Sequence, residues 1–191
     1  MSGHGFHVHG PHDHELEHAA QGHGNSSTNK IAMFTAIIAT VGAIFGYMGG
    51  ATQANAGLFK NDAAIKKTEA SNQWNYYQAK SSKQNLMELA VELAPAAKKD
   101  YYEEQIKRYK TEKADIKLNA EKLEAQATQF DEMSEAELHQ HHRWAQATTV
   151  LQVAIALAAI ALLTRKTWVE YAMFGTGALG IGVGILAALH I

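Results

Sequence analysis

The chain has no cysteine and, in 191 residues, only two prolines, Pro11 and Pro95. The first absence excludes disulfides, thiolate metal sites and thiol nucleophiles. The second leaves residues 52–144 with a single helix breaker. No basic stripe is present, and a net charge of −2 gives no reason to expect nucleic acid as a partner. No phosphate-binding glycine loop, serine elbow or zinc-protease motif occurs, so the chain is expected to be no enzyme and to require no cofactor.

Charge itself is missing in a patterned way. Residues 31–48, "IAMFTAIIATVGAIFGYM", carry none, and as a helix they would span about 27 Å, close to a bilayer core. Residues 145–163, "AQATTVLQVAIALAAIALL", also lack charge, and residues 168–189 hold only Glu170, near their start, where headgroups can solvate it. The expectation is an all-α integral membrane protein with three transmembrane helices at 30–51, 145–163 and 168–191. No acid or base lies deep in any of them, which weighs against ion-coupled transport. Ala54-Asn55-Ala56 looks like a signal cleavage site. The leader before it is too long, too acidic and too rich in histidine for a signal peptide, so no cleavage is expected.

Between the first two spans, residues 52–133 are rich in Lys, Glu, Gln, Asn and Ala with heptad spacing, the composition of long helices. In the first half Leu58, Ile65, Asn72, Ala79, Leu86 and Leu93 recur every seven residues, with Asn61, Thr68, Asn75, Ser82 and Leu89 three later. That seam is polar in its middle, a pattern that can set register or oligomeric state. In the second half the series is Tyr102, Tyr109, Ile116, Leu123 and Phe130, with Ile106, Lys113, Ala120 and Ala127 as companions. Pro95 should reverse the chain between them, giving a long antiparallel coiled-coil hairpin. Ser134 and Glu137 match a capping box, so a new, interfacial helix is expected to start at 134–144 and lead into the second span. Residues 164–167 form a short basic turn, and residues 1–29 a flexible tail.

"QWNYYQAKSSKQN" (73–85), "HHRWAQATTVLQVAIALAAI" (141–160) and the histidine-rich opening resemble a bacterial membrane-protein family catalogued as domain of unknown function 4337. The resemblance covers most of the chain and implies a bacterial multi-pass membrane protein. It brings no activity, substrate or catalytic residues with it.

Candidate sites follow from residue chemistry. His4, His7, His9, His12, His14 and His18, with Asp13, are intrinsic ligands for zinc, nickel or copper. Glu135, His139 and His142 share one helical face and form a possible second metal cluster. The alternative there is an interfacial belt that includes Arg143 and Trp144. Trp74, Tyr76 and Tyr77 are expected to cover the second helix or a neighbouring subunit. Gly42, Gly46 and Gly50 form one small-residue stripe, and Thr176, Gly180, Gly184 and Ala188 another. Both are expected to serve homo-oligomerisation, with hydrogen bonds added by Gln146, Thr149 and Gln152.

An odd number of spans places the tail and the 164–167 turn on one side. Lys30, Arg165 and Lys166 favour the cytoplasm for that side of a bacterial inner membrane, leaving the stalk external. The reading that uses most of the chain is an oligomeric membrane scaffold or assembly protein with an accessory metal-binding tail. It would meet lipid, further copies and an unidentified membrane or envelope protein. Divalent-metal buffering, sensing or delivery is the alternative, and a passive oligomeric channel a second alternative.

Overall fold

The computed structural model describes residues 26–190, and the chain from 26 to 188 is three helices separated by two short breaks. Helix α1 is Ser26–Leu93, α2 is Ala96–Thr164 and α3 is Thr167–Ala188. No strand occurs among the described residues. All three helices are long and apolar enough to cross a membrane.

Both breaks have local causes. At residues 94–95 the proline cannot continue α1, and its carbonyl accepts a hydrogen bond from Lys98 N at 2.9 Å as α2 begins. At the second break Arg165 N closes the last turn of α2 on Ala161 O, and Arg165 then turns left-handed at φ 50°. Lys166 is extended and starts α3 without a side-chain cap. No break occurs at Ser134. The capping-box residues lie inside α2, and Ser134 Oγ donates to Ala56 O at 2.8 Å instead of capping its own helix. A helix start was expected from a local pattern that a buried interhelical hydrogen bond explains better.

The described residues divide into two units, 26–49 with 142–190 and 50–141. In the first unit α1 supplies large side chains, with Ile31 and Ile38 buried and Phe34, Val41 and Phe45 packed beside them. Helix α2 turns Trp144, Ala147, Leu151, Ala154, Ala158 and Ala161 inward, at alternating steps of three and four. Helix α3 adds Val169, Met173, Gly177, Gly180, Gly184 and Ala187. Glycines of α3 meet bulk from the other two helices, Gly177 against Phe34, Gly180 against Leu151 and Gly184 against Phe45, which lets the backbones approach. Four threonine hydroxyls in this unit are satisfied on their own helices. Thr35, Thr148, Thr149 and Thr164 each donate to the carbonyl four residues back at 2.8 Å.

In the second unit the pairing reverses in size. Ala56, Ala63, Ala70 and Gln84 are the buried positions of α1, at steps of seven and fourteen, and they face Ile116, Ala120 and Ala127 of α2 with Tyr109, Leu123 and Phe130 half-buried around them. Contacts match rising numbers on α1 with falling numbers on α2. Phe59 stacks on Phe130 at 6.4 Å, Lys60 pairs with Asp131 at 2.7 Å, and Lys80 pairs with Glu112 at 2.5 Å. The α2 seam is the one expected from its heptads. The α1 seam is not: Leu58, Ile65, Asn72, Ala79, Leu86 and Leu93 and their companions all lie on the exposed face. The frame Ala56, Ala63, Ala70 lets the two helices approach closely along their buried seam.

Candidate functional site

The outer face of α1 in the second unit is the most unusual surface among the described residues. Leu58 is 64% exposed and Leu93 78%, with Ile65, Leu86 and Leu89 also open. Their spacing sets them on one side of α1 in two apolar stretches, Leu58 with Ile65 and Leu86 with Leu89 and Leu93, separated by Asn72 and Ala79. An ordered row of exposed apolar side chains is a candidate interaction surface, whereas lone leucines need no explanation.

Behind the ridge, the two helices are held by polar contacts in their middle. Trp74 Nε1 donates to Glu124 Oε1 at 2.8 Å, and its ring meets Tyr77 edge-on at 5.7 Å. Lys80 lies 5.1 Å from the Tyr76 ring and 5.5 Å from the Tyr109 ring while bonded to Glu112. Lys113 lies 4.9 Å from Tyr77 and donates to Gln84 Oε1 at 3.2 Å. The hydrogen bond to Lys80 holds the Glu112 carboxyl below its usual range, and the same bond, with Tyr76 adding to it, raises the Lys80 ammonium. Trp74, Tyr76 and Tyr77 thus engage this two-helix layer through both ring faces and polar tips. A cleft of about 630 Å³ beside Trp74 is lined by Lys67, Ser71, Asn75, Glu124 and Asp131. It carries both signs of charge.

The two small-residue stripes have different fates. A methyl group on Gly180 would stand 2.5 Å from Leu151 Cδ2 and 3.2 Å from Leu151 N, and one on Gly184 would run into the Phe45 ring. Both glycines are therefore occupied within the chain, and so is Gly177 against Phe34, a position the stripe did not include. Thr176 is half-buried and Ala188 exposed. On α1, Gly42 is in ordinary contact with Leu151, whereas Gly46 and Gly50 have nothing within 4 Å. Oligomerisation through Gly180 and Gly184 is corrected to packing within one chain, and Gly46 and Gly50 remain open. Gln146 and Gln152 also face outward.

The metal candidates fare differently. His4, His7, His9, His12, Asp13, His14 and His18 lie outside the described residues. Among the described residues no group of three or more potential ligands is gathered for a metal. Glu135, His139 and His142 are all exposed along α2 and are not gathered into such a group. The interfacial-belt alternative also changes, because Trp144 is buried with its ring 5.2 Å from Phe45.

The family model described as a domain of unknown function (DUF4337) matches residues 27–190. The chain belongs to that family. Neither comparison with curated proteins nor comparison with solved structures finds a match. For this DUF4337 chain, then, function must be argued from surface chemistry. The sequence signal for its outward ridge was the heptad itself, assigned to the wrong side of the helix.

Proposed function

We propose that the protein is a non-catalytic, oligomeric scaffold of a bacterial inner membrane. In this reading the three apolar segments cross the bilayer. Residues 52–133 form an antiparallel helical hairpin outside it that holds or spaces other membrane or envelope components. The observation that carries the reading is the exposed ridge Leu58, Ile65, Leu86, Leu89 and Leu93. Covering one leucine contributes about 1.5–3 kcal/mol, so a row of them favours association, and Asn72 in the same frame would select register. Open Gly46, with outward Gln146 and Gln152, supplies a further surface for association in the apolar unit. The basic residues Lys30, Arg165 and Lys166 support a cytoplasmic tail and turn. Metal handling is the second reading, favoured by the imidazole-rich composition of residues 4–18.

The test is native mass spectrometry of the detergent-extracted protein, full length and lacking residues 1–24, with and without zinc. A discrete oligomer in every condition is expected. Leu86→Lys with Leu93→Lys should yield monomer with unchanged helicity by circular dichroism. An oligomer seen only with tail and metal together would make metal handling the function, and a monomer throughout would overturn the scaffold.

A further inference from the structure

A cleft of about 470 Å³ opens among the start of α1, the end of α2 and the start of α3. This volume lies within the range of small-molecule sites, roughly 300–1,000 Å³. Three charged side chains line it: Lys30 from α1, Arg165 from the α2–α3 break and Glu170 from α3. Glu170 Oε1 accepts a hydrogen bond from Ser27 Oγ at 2.6 Å, which ties the first turns of α1 and α3 together and aims the carboxylate at the cleft. Neither Lys30 nor Arg165 has an ion pair among the described residues. Beneath the charges the lining turns apolar, with Ile31 and Ala161 buried and Leu162 partly open.

The charge set restricts the occupant. Two cations suit a phosphate, but a free phosphate or a purely anionic headgroup would leave Glu170 facing negative charge and has no use for an apolar floor. A dipolar headgroup answers every feature. We infer that this cleft seats a membrane phospholipid whose headgroup carries both a phosphodiester and a primary amine, as phosphatidylethanolamine does. Lys30 and Arg165 take the phosphate oxygens, the remaining Glu170 oxygen accepts from the ammonium, and the acyl chains leave across the open Leu162. A quaternary amine has no N–H to donate, so choline lipids lose the Glu170 contact while keeping the phosphate one. The inference rests on the three segments crossing a bilayer, where these helix ends meet the headgroup layer.

The experiment adds equimolar phosphatidylethanolamine, phosphatidylcholine and phosphatidylglycerol of matched acyl chains to the full-length protein in detergent, and reads retained lipid by native mass spectrometry. The ethanolamine lipid should be retained about fivefold over the choline lipid, the scale of one charge-assisted hydrogen bond in a partly wet site. Glu170→Gln should bring the two to parity, and Lys30→Ala with Arg165→Ala should lower the ethanolamine and glycerol lipids alike. Lys30→Arg should keep the preference, which separates a lost site from a lost fold. Equal retention of choline and ethanolamine lipids by the unaltered protein would overturn the inference. So would a preference that survives Glu170→Gln, or displacement of the lipid by inorganic phosphate, which would reassign the cleft to a free anion. Release of the chain from membranes by alkaline carbonate is a separate result, and it would remove the membrane reading itself.

Discussion

Helix α1 does opposite work in the two units it runs through. Over residues 31–45 it contributes Ile31, Phe34, Ile38 and Phe45, and its neighbours answer with Gly177 and Gly184 as well as with Leu151 and Met173. Over residues 56–84 it contributes Ala56, Ala63 and Ala70, and the bulk comes from Ile116, Leu123 and Phe130 of α2. The difference follows from the number of helices sharing a core and from the solvent around it. In the first unit α1 turns one large-residue face, Ile31, Phe34, Ile38 and Phe45, toward the other two helices and leaves Met33, Ile37, Ile44 and Tyr47 open. Two helices cannot enclose both of their broad faces, so one of the large-residue faces of α1 is left outside. Apolarity alone therefore does not name the core side of a helix; complementarity of size with the partner does.

The comparison can be broken most sharply at Leu151, which is fully buried among α1, α2 and α3 residues. Leu151→Ala should destabilise by roughly 2–5 kcal/mol in detergent unfolding, and Gly180→Ala by roughly 1–3 kcal/mol through overpacking. Because the two sites touch, the double variant should recover part of the loss, a coupling of roughly 0.5–3 kcal/mol. Strict additivity would mean that the small-against-large packing is not what holds this unit. Gly46→Ala, with open space around it within the chain, should be neutral or slightly stabilising in the monomer and should weaken association.

In the second unit, Ile116→Ala should cost roughly 2–3 kcal/mol, the low end for a buried aliphatic in a two-helix layer. Leu118→Ala, two residues away on the open face, should stay within about 0.5 kcal/mol. Chemical denaturation followed by circular dichroism compares them. Equal losses would show that the exposed face is as deeply buried as the seam, placing another copy over α2 as well.

The smallest effect concerns the polar middle of that seam. The Lys80 side chain is 13% exposed and that of Glu112 34%, so their ion pair is only partly sheltered and weakens with salt. The lowered Glu112 carboxyl stabilises the fold above its ordinary value of 4.5, and that contribution disappears as pH falls through its folded value. The raised Lys80 ammonium contributes fully below 10.5 and loses its contribution as pH rises past its folded value. Lys60, raised by its hydrogen bond to Asp131, adds to the alkaline loss. Stability should therefore be flat between those limits and fall at both ends. Glu112→Gln should lower the plateau slightly and shrink the acid limb at low salt; an unchanged acid limb would mean other carboxylates control it.

The sequence by itself determined the three apolar segments, the breaks at Pro95 and at 165–166, and the inward face of α2 over residues 102–130. Each of these rests on a local signal: a run of uncharged residues, a missing N–H, or a seven-residue repeat with bulky side chains. Tertiary structure decided which face of α1 is inside, that Ser134 bonds across to Ala56, and that Gly180 and Gly184 are consumed within the chain while Gly46 and Gly50 are not. It also brought Ser27 to Glu170, 143 residues away, and gathered the charges of the headgroup cleft, which in sequence are three unrelated residues near three helix ends. The physical reason is common to all of these. Periodicity marks a stripe, but whether a stripe is core, interface or open surface depends on the size and charge of side chains that only the fold brings opposite it.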